Sequence, residues 1–152
     1  MEVVSNVKPA MALISLVMSF LFGGWSILIG ALIFFVSFDY LTGVISAGYR
    51  GELNARVGFW GIPKKIMIFG VVAIAHIIDQ VYLDQLDYPL TIGELDISVM
   101  SAAIIYYLFN ELISITENLG KMGLTMPVPV LRAVDIFKGT SYYEKNKKDD
   151  GE

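Results

Sequence analysis

Three long apolar stretches constrain the fold of this 152-residue chain more than any other feature of its sequence. They lie at about residues 26–48, 63–83 and 97–119, and each has the roughly 20 residues that a helix needs to cross a bilayer. Hydrophobic residues make up 55 % of the chain, more than the about 45–50 % that is usual in soluble proteins. The sequence therefore predicts an all-α membrane protein in which residues 25–124 form a domain of three transmembrane helices.

The composition excludes several kinds of chemistry. The chain has no cysteine and one histidine, so it can form neither a disulfide nor a metal site built from several of these residues. It contains no phosphate-binding loop, no nucleophile elbow, no zinc-protease motif and no basic surface suited to nucleic acid. We therefore predict a protein that is not an enzyme, binds no cofactor or metal, and has no nucleic-acid partner.

The segments that flank the three stretches have a different character. Residues 1–24 contain the apolar run Pro9–Phe22, which as a helix of about 21 Å is shorter than the ~30 Å hydrocarbon core. We predict an amphipathic helix lying in the membrane interface, with a bend at Gly23 and Gly24. The alternative is that this segment is a fourth membrane span, which would place the N-terminus on the opposite side of the membrane. The sequence of residues 125–152 indicates a proline turn, followed by a short amphipathic helix at about 130–137 and a charged tail.

Basic residues are distributed unevenly between the loops. The loop between the first two spans is basic, whereas the loop at 84–96 carries only acids among its charged residues. Cytoplasmic loops collect Lys and Arg, so we predict an N-terminus outside the cell and a C-terminus in the cytoplasm. The predicted anchors of the cytoplasmic interface are Arg50, Arg56, Trp60, Lys64 and Lys65.

Ionisable and amide side chains interrupt all three spans, where a charge in lipid costs about 2.5–3.5 kcal/mol. The first span carries a stripe at helical spacing: Asp39, Thr42, Gly43 and Ser46. The third carries a second stripe on one predicted face: Asn110, Glu111, Ser114, Glu117 and Asn118. The side opposite this second stripe is predicted to face lipid through Ile104, Leu108, Leu112 and Ile115. Near the outer end of the second span, His76 and Asp79 are secondary candidates.

Two interpretations of the stripes are open. The stripes can be faces through which copies of the chain associate, or faces that line a water-filled pore. Gly43 would then allow the close approach of another helix. They can also be satisfied within one chain, by neighbouring side chains or by basic residues that extend towards them. Glu117 and Asn118 also fit a solvated helix end. Asp96 or Ser98 is predicted to cap the third span.

Five segments of the sequence resemble a known family. The phage holin family that includes the clostridial toxin-secretion holins has similar motifs, which in this chain are Gly24–Trp25, Asp39–Gly43, Gly58–Lys65, Asn110–Asn118 and Gly123–Pro127. The resemblance covers about residues 24–138. The chain departs from the pattern in two places: Thr125 stands where such proteins often have proline, and the acidic loop at 84–96 is long.

The resemblance implies a small multi-pass protein of the bacterial cytoplasmic membrane that oligomerises with itself in the lipid. Its lesions would release a cytoplasmic endolysin to the cell wall, or a toxin in some relatives. The endolysin is then a functional partner that need not touch the chain. The residues alone leave another class open, a small proton or ion channel that uses Asp39, His76, Asp79 and Glu111.

Overall fold

The chain folds into α-helices, as its sequence predicts. A computed structural model describes residues 2–89 and 97–138, with the backbone alone at 2–6 and 55–60. Within these ranges the helices are α1 (Glu2–Phe22), α2 (Ile27–Tyr49), α3 (Ala55–Leu86), α4 (Val99–Lys121) and α5 (Val128–Lys138). The predicted acids Glu94 and Asp96 and the predicted charged tail at 139–152 lie outside the described residues.

Helices α2, α3 and α4 confirm the three long apolar helices that the sequence predicts. Each is long and apolar enough to cross a membrane, over Ile27–Tyr49, Gly61–Leu86 and Val99–Lys121. Helix α1 contains a shorter apolar segment, Val7–Phe22, but its 21 residues correspond to about 31 Å. The predicted helix, based on the apolar run Pro9–Phe22, is shorter than α1 because α1 already begins at Glu2. Length therefore does not distinguish a span from an interfacial helix, and the interfacial placement of α1 stays a prediction.

Helix α4 ends in a glycine cap. Gly123 has φ +78°, a left-handed conformation that glycine adopts without a steric penalty. The Leu124 N–H donates to the Leu119 carbonyl at 3.0 Å, and the Gly123 N–H donates to the Gly120 carbonyl at 3.0 Å. This pair of hydrogen bonds is the Schellman motif, which satisfies carbonyl groups at the end of the helix. It turns the chain out of α4 towards the proline segment before α5.

The helices divide into two compact units. Unit 1 consists of Met1–Phe34 and Ile62–Tyr107, and unit 2 consists of Phe35–Gly61 and Leu108–Glu152. Unit 1 thus contains α1, the start of α2, most of α3 and the start of α4. Unit 2 contains the end of α2, the loop after it, the end of α4 and α5. The buried apolar side chains include Ile29, Leu32 and Val72 in unit 1, and Val36, Ile115 and Val134 in unit 2.

Helix α5 packs against the end of α4 within unit 2. The rings of Phe109 and Phe137 stack with centroids 4.6 Å apart and an interplanar angle of 9°. Lys138 Nζ donates to Glu117 Oε1 at 2.9 Å, and Val134 is buried. The short helix that the sequence predicts at 130–137 is therefore present, extended to Val128–Lys138, and it is held by an apolar contact as well as by an ion pair.

The prediction that one side of α4 faces lipid is wrong for two of its four residues. Ile104 and Ile115 are both buried, while Leu108 and Leu112 are partly buried. The reason is that the inward face of α4 is mixed. In unit 2, Glu111 and Ile115 lie one helical turn apart and are both buried.

Candidate functional site

Polar side chains from the two predicted stripes meet inside unit 2. Asn118 on α4 donates through Nδ2 to Asp39 Oδ1 on α2 at 3.0 Å, and the same nitrogen lies 3.4 Å from Thr42 Oγ1. Thr42 Oγ1 in turn donates to the backbone carbonyl of Asp39 at 3.0 Å. We call Asp39, Thr42 and Asn118 the polar cluster. It links two helices that are far apart in the sequence.

The spacing of α2 explains why its polar side chains point the same way. Asp39, Thr42 and Ser46 recur at i, i+3 and i+7 and are all buried, whereas Leu41 and Ile45 on the other side are exposed. A helix places residues at these separations on one face. In a membrane the exposed apolar side suits lipid, so α2 directs its carboxylate and hydroxyl groups towards the protein.

Burial makes the hydrogen bonds of the polar cluster energetically important. Asp39 is 8 % exposed, and a polar or charged group removed from water is unfavourable unless it is hydrogen-bonded. The Asn118 amide supplies such a bond to the carboxylate. The same contact would hold α2 and α4 together, because separating the helices in lipid would expose an acid and an amide to hydrocarbon.

Gly43 lies directly beside the polar cluster. A Cβ atom added at Gly43 would be 3.4 Å from Asn118 Nδ2, which is a close but tolerable contact. The small residue therefore permits the approach of Asn118 to α2, in line with the use of small residues where membrane helices meet.

We expect Gly43→Leu to lower the free energy of unfolding by about 1–3 kcal/mol, because the larger side chain must displace Asn118. The measurement is thermal or denaturant unfolding in detergent, with Gly48→Leu as the matched control. Gly48 is on the same helix, and an added Cβ there meets no atom within 4 Å. Equal losses in the two variants would contradict this close approach.

Two further members of the predicted stripes lie inside unit 2. Glu111 is 4 % exposed and Ser46 is 1 % exposed, while Ser114 is partly buried. The Ser46 hydroxyl has no hydrogen-bond partner among the described residues. The interior of unit 2 thus contains more polar groups than the polar cluster alone, which is unusual for helices of this apolar character.

The stripe predicted on α4 is divided between two faces. Glu111 and Asn118 point inward, whereas Asn110 and Glu117 are exposed. Each pair has the separation i, i+7, and the two pairs are offset by one residue, about 100° around the helix. Glu117 is the residue that pairs with Lys138 on α5. On the inward side, Asn118 is the residue whose hydrogen bond joins the predicted stripe of α4 to the stripe of α2.

The secondary candidates His76 and Asp79 have structural partners in unit 1. Asp79 accepts the Val99 N–H on Oδ1 and the Met100 N–H on Oδ2, each at 2.9 Å. Ser98, one of the two predicted caps, accepts the Ser101 N–H on its hydroxyl at 3.1 Å. The first three backbone N–H groups of α4, which have no partner within the helix, are thereby satisfied. Asp79 is a capping residue that sequence reasoning missed.

His76 is buried against the bend between α1 and α2. A Cβ added at Gly23 would lie only 2.9 Å from Cε1 of His76, and Gly23 has φ +67°. The bend predicted at this glycine is therefore present. Both the close approach of His76 and the left-handed backbone conformation require a residue without a side chain there. The imidazole fills the space beneath the bend.

The predicted interface anchors are placed differently from one another. Arg50 forms an exposed ion pair with Glu52 at 2.9 Å. Lys64 is exposed and Lys65 is partly buried. The side chains of Arg56 and Trp60 are outside the described part of the chain, so their anchoring role stays a prediction. No group of three or more potential metal ligands occurs among the described residues.

Comparison with known proteins gives a consistent result. The model of the bacteriophage holin family matches residues 16–139. A probable holin of Bacillus phage phi105 is 32 % identical over 112 residues, covering 74 % of each chain. An uncharacterized protein of Halalkalibacterium halodurans is 44 % identical over 133 residues, which is 87 % of this chain and 93 % of the relative. An uncharacterized 14.9 kDa protein of Clostridium perfringens is 30 % identical over 133 residues, 88 % of this chain and 93 % of the relative. No solved structure matches the chain.

Proposed function

Because the chain belongs to the bacteriophage holin family, we propose that it acts as a holin in the bacterial cytoplasmic membrane. Copies accumulate in the membrane, assemble with one another and open lesions. Through these lesions a cytoplasmic endolysin reaches the cell wall and lyses the cell. The chain itself performs no catalytic step in this process, and the endolysin need not contact it.

The observation that supports this proposal best is the polar cluster enclosed by apolar helices. A holin must stay harmless while it accumulates and must later surround water. In a single copy, Asp39, Thr42 and Asn118 satisfy one another through hydrogen bonds, so none of them has to face lipid. In an assembled lesion, water can satisfy the same groups. Both arrangements avoid polar groups in hydrocarbon, so a difference of a few kcal/mol is enough to switch between them.

The test is inducible expression in a bacterium that also produces an endolysin lacking any secretion signal. We expect growth to continue during accumulation and then an abrupt loss of culture density at a reproducible time. Endolysin alone should leave the cells intact, because the enzyme stays on the wrong side of the membrane. The proposal fails if the chain is present in the membrane at high level together with the endolysin and the cells do not lyse.

The rival function is a small proton or ion channel. Its proposed relay used Asp79, but that carboxylate accepts two backbone N–H groups at the start of α4, which favours a structural role for it. Liposomes separate the two functions. A holin releases a trapped protein of endolysin size, whereas a channel passes protons or ions and retains the protein.

The proposed orientation, with the N-terminus outside and the C-terminus in the cytoplasm, has a direct test. The chain has no cysteine, so Asn54→Cys in the loop after α2 introduces a single thiol. We expect an impermeant thiol reagent to leave it unlabelled in intact spheroplasts and to label it after lysis, because the basic loop is cytoplasmic. Labelling before lysis would reverse the orientation.

A further inference from the structure

Asn110 has an exposed side chain at the centre of a predicted span. Helix α4 runs from Val99 to Lys121, so Asn110 is flanked by equal lengths of helix, about 16 Å on either side. Its side chain is exposed and takes part in none of the side-chain hydrogen bonds of residues 7–54, 61–89 and 97–138. It is an amide on the exposed surface of unit 2, and the middle of a helix that spans the membrane lies in the hydrocarbon core, where there is no water.

An amide in this position requires a partner. Its NH₂ group donates two hydrogen bonds and its oxygen accepts two, whereas lipid chains offer neither donors nor acceptors. Asn118, eight residues further along the same helix, shows how this chain satisfies such a group, since it bonds to Asp39 inside unit 2. Glu117, which shares the exposed side with Asn110, has Lys138 as its partner. Asn110 has no equivalent within the described structure.

We propose that Asn110 is the contact through which α4 packs against α4 of a second copy of the chain. The inference rests on the assembly required by the proposed function and identifies one surface of that assembly. It assigns the two amides of α4 to different tasks. Asn118 holds one copy closed, and Asn110 joins two copies.

Symmetry and amide chemistry both suit this surface to a second copy of the chain. Because every copy carries the same uneven distribution of basic residues, we expect all copies to insert with one orientation, which places their Asn110 residues at the same depth. A two-fold axis along the bilayer normal brings these identical residues together in a symmetric contact. The primary amide is self-complementary, because each side chain can donate to the oxygen of the other. Asparagine is a residue that hydrogen-bonds across membrane helices.

Cross-linking tests the contact directly in membranes. Because the chain has no native cysteine, Asn110→Cys places one thiol at the proposed interface, and the loss of the amide weakens the contact without removing the proximity that cross-linking reports. Leu41→Cys is the matched control, since Leu41 is exposed on α2 within the same unit. Under mild oxidation we expect disulfide-linked dimers from Asn110→Cys and mainly monomer from Leu41→Cys. Equal cross-linking at the two positions would indicate random collision and overturn the proposal.

Association in lipid vesicles provides the second measurement. We expect Asn110→Leu to weaken self-association by about threefold to thirtyfold, the loss typical of one interhelical hydrogen-bonded contact in a membrane. Asn110→Gln should restore much of the association, because it keeps the amide. Association of Asn110→Leu at the wild-type level, with unchanged helix content, would overturn the proposal.

These results are separable from those of the lysis assay. Specific cross-linking at position 110 in a chain that never lyses cells would support the contact and remove the holin function. A lytic wild-type chain whose position 110 fails to cross-link specifically would keep the function and remove the contact.

Discussion

Replacing Asn118 with leucine is expected to lower the free energy of unfolding in detergent by about 1.5–3 kcal/mol. The substitution keeps the approximate shape of the side chain but removes the amide that donates to the buried Asp39 carboxylate, and a hydrogen bond to a charged group has this magnitude. Because the polar cluster holds the single copy closed in our account, the same variant should also lyse cells earlier than wild type at equal expression. Denaturant unfolding and culture density measure the two effects.

The control for this prediction is Asn110→Leu, the same exchange on the same helix. Asn110 is exposed, so its replacement should change the stability of a single copy by no more than about 0.5 kcal/mol. Similar destabilisation by the two substitutions would contradict the division of α4 into an inward and an outward polar face. A lysis time that is unchanged by Asn118→Leu would contradict the role of the polar cluster in timing.

Asp79→Ala is expected to produce the second large effect, a loss of about 1.5–3 kcal/mol. The carboxylate accepts the N–H groups of Val99 and Met100, and a negative charge at a helix N-terminus is stabilised by hydrogen bonding and by the helix dipole. Without it, the first turn of α4 should fray. Amide hydrogen exchange at Val99 and Met100 should accelerate, and this local readout distinguishes loss of the cap from general unfolding.

The matched control is Asp84→Ala on the same helix. Asp84 is exposed, and its carboxylate accepts only a hydrogen bond from the neighbouring Gln85 among the side-chain bonds described. We expect little change in stability or in exchange at Val99. If Asp79→Ala left the exchange of these amides at its wild-type rate, the cap would not exist in the membrane.

The spans could be predicted from the sequence because their signal is local. About 20 predominantly apolar residues suffice to indicate a helix long enough to cross a membrane, and α2, α3 and α4 appear where the sequence places them. The start of α1 was harder to predict, because the charged residues Glu2 and Lys8 lie outside the apolar run. The helix nevertheless begins at Glu2 and continues through Pro9. Length and hydrophobicity say nothing about where such a mixed segment begins.

The orientation of the α4 stripe could not be predicted from spacing alone. Residues at i, i+1, i+4, i+7 and i+8 are spread over a wide arc of the helix surface. Which of them are buried depends on where α2 packs, and the sequence does not show that. Contact with Asp39 selects Asn118 and leaves Asn110 outside. The capping role of Asp79 escaped prediction for a related reason. The sequence shows an acid near a helix end, but not that the start of α4 lies against it.

The membrane potential of single cells during expression of the chain distinguishes a holin from a constitutive leak. If the chain is a holin whose copies stay closed until they assemble, the potential should remain steady while protein accumulates. It should then collapse abruptly, at a time that is similar from cell to cell. A potential that declines gradually from the start of expression, in proportion to the amount of protein, would show a constitutive leak and would contradict the holin function.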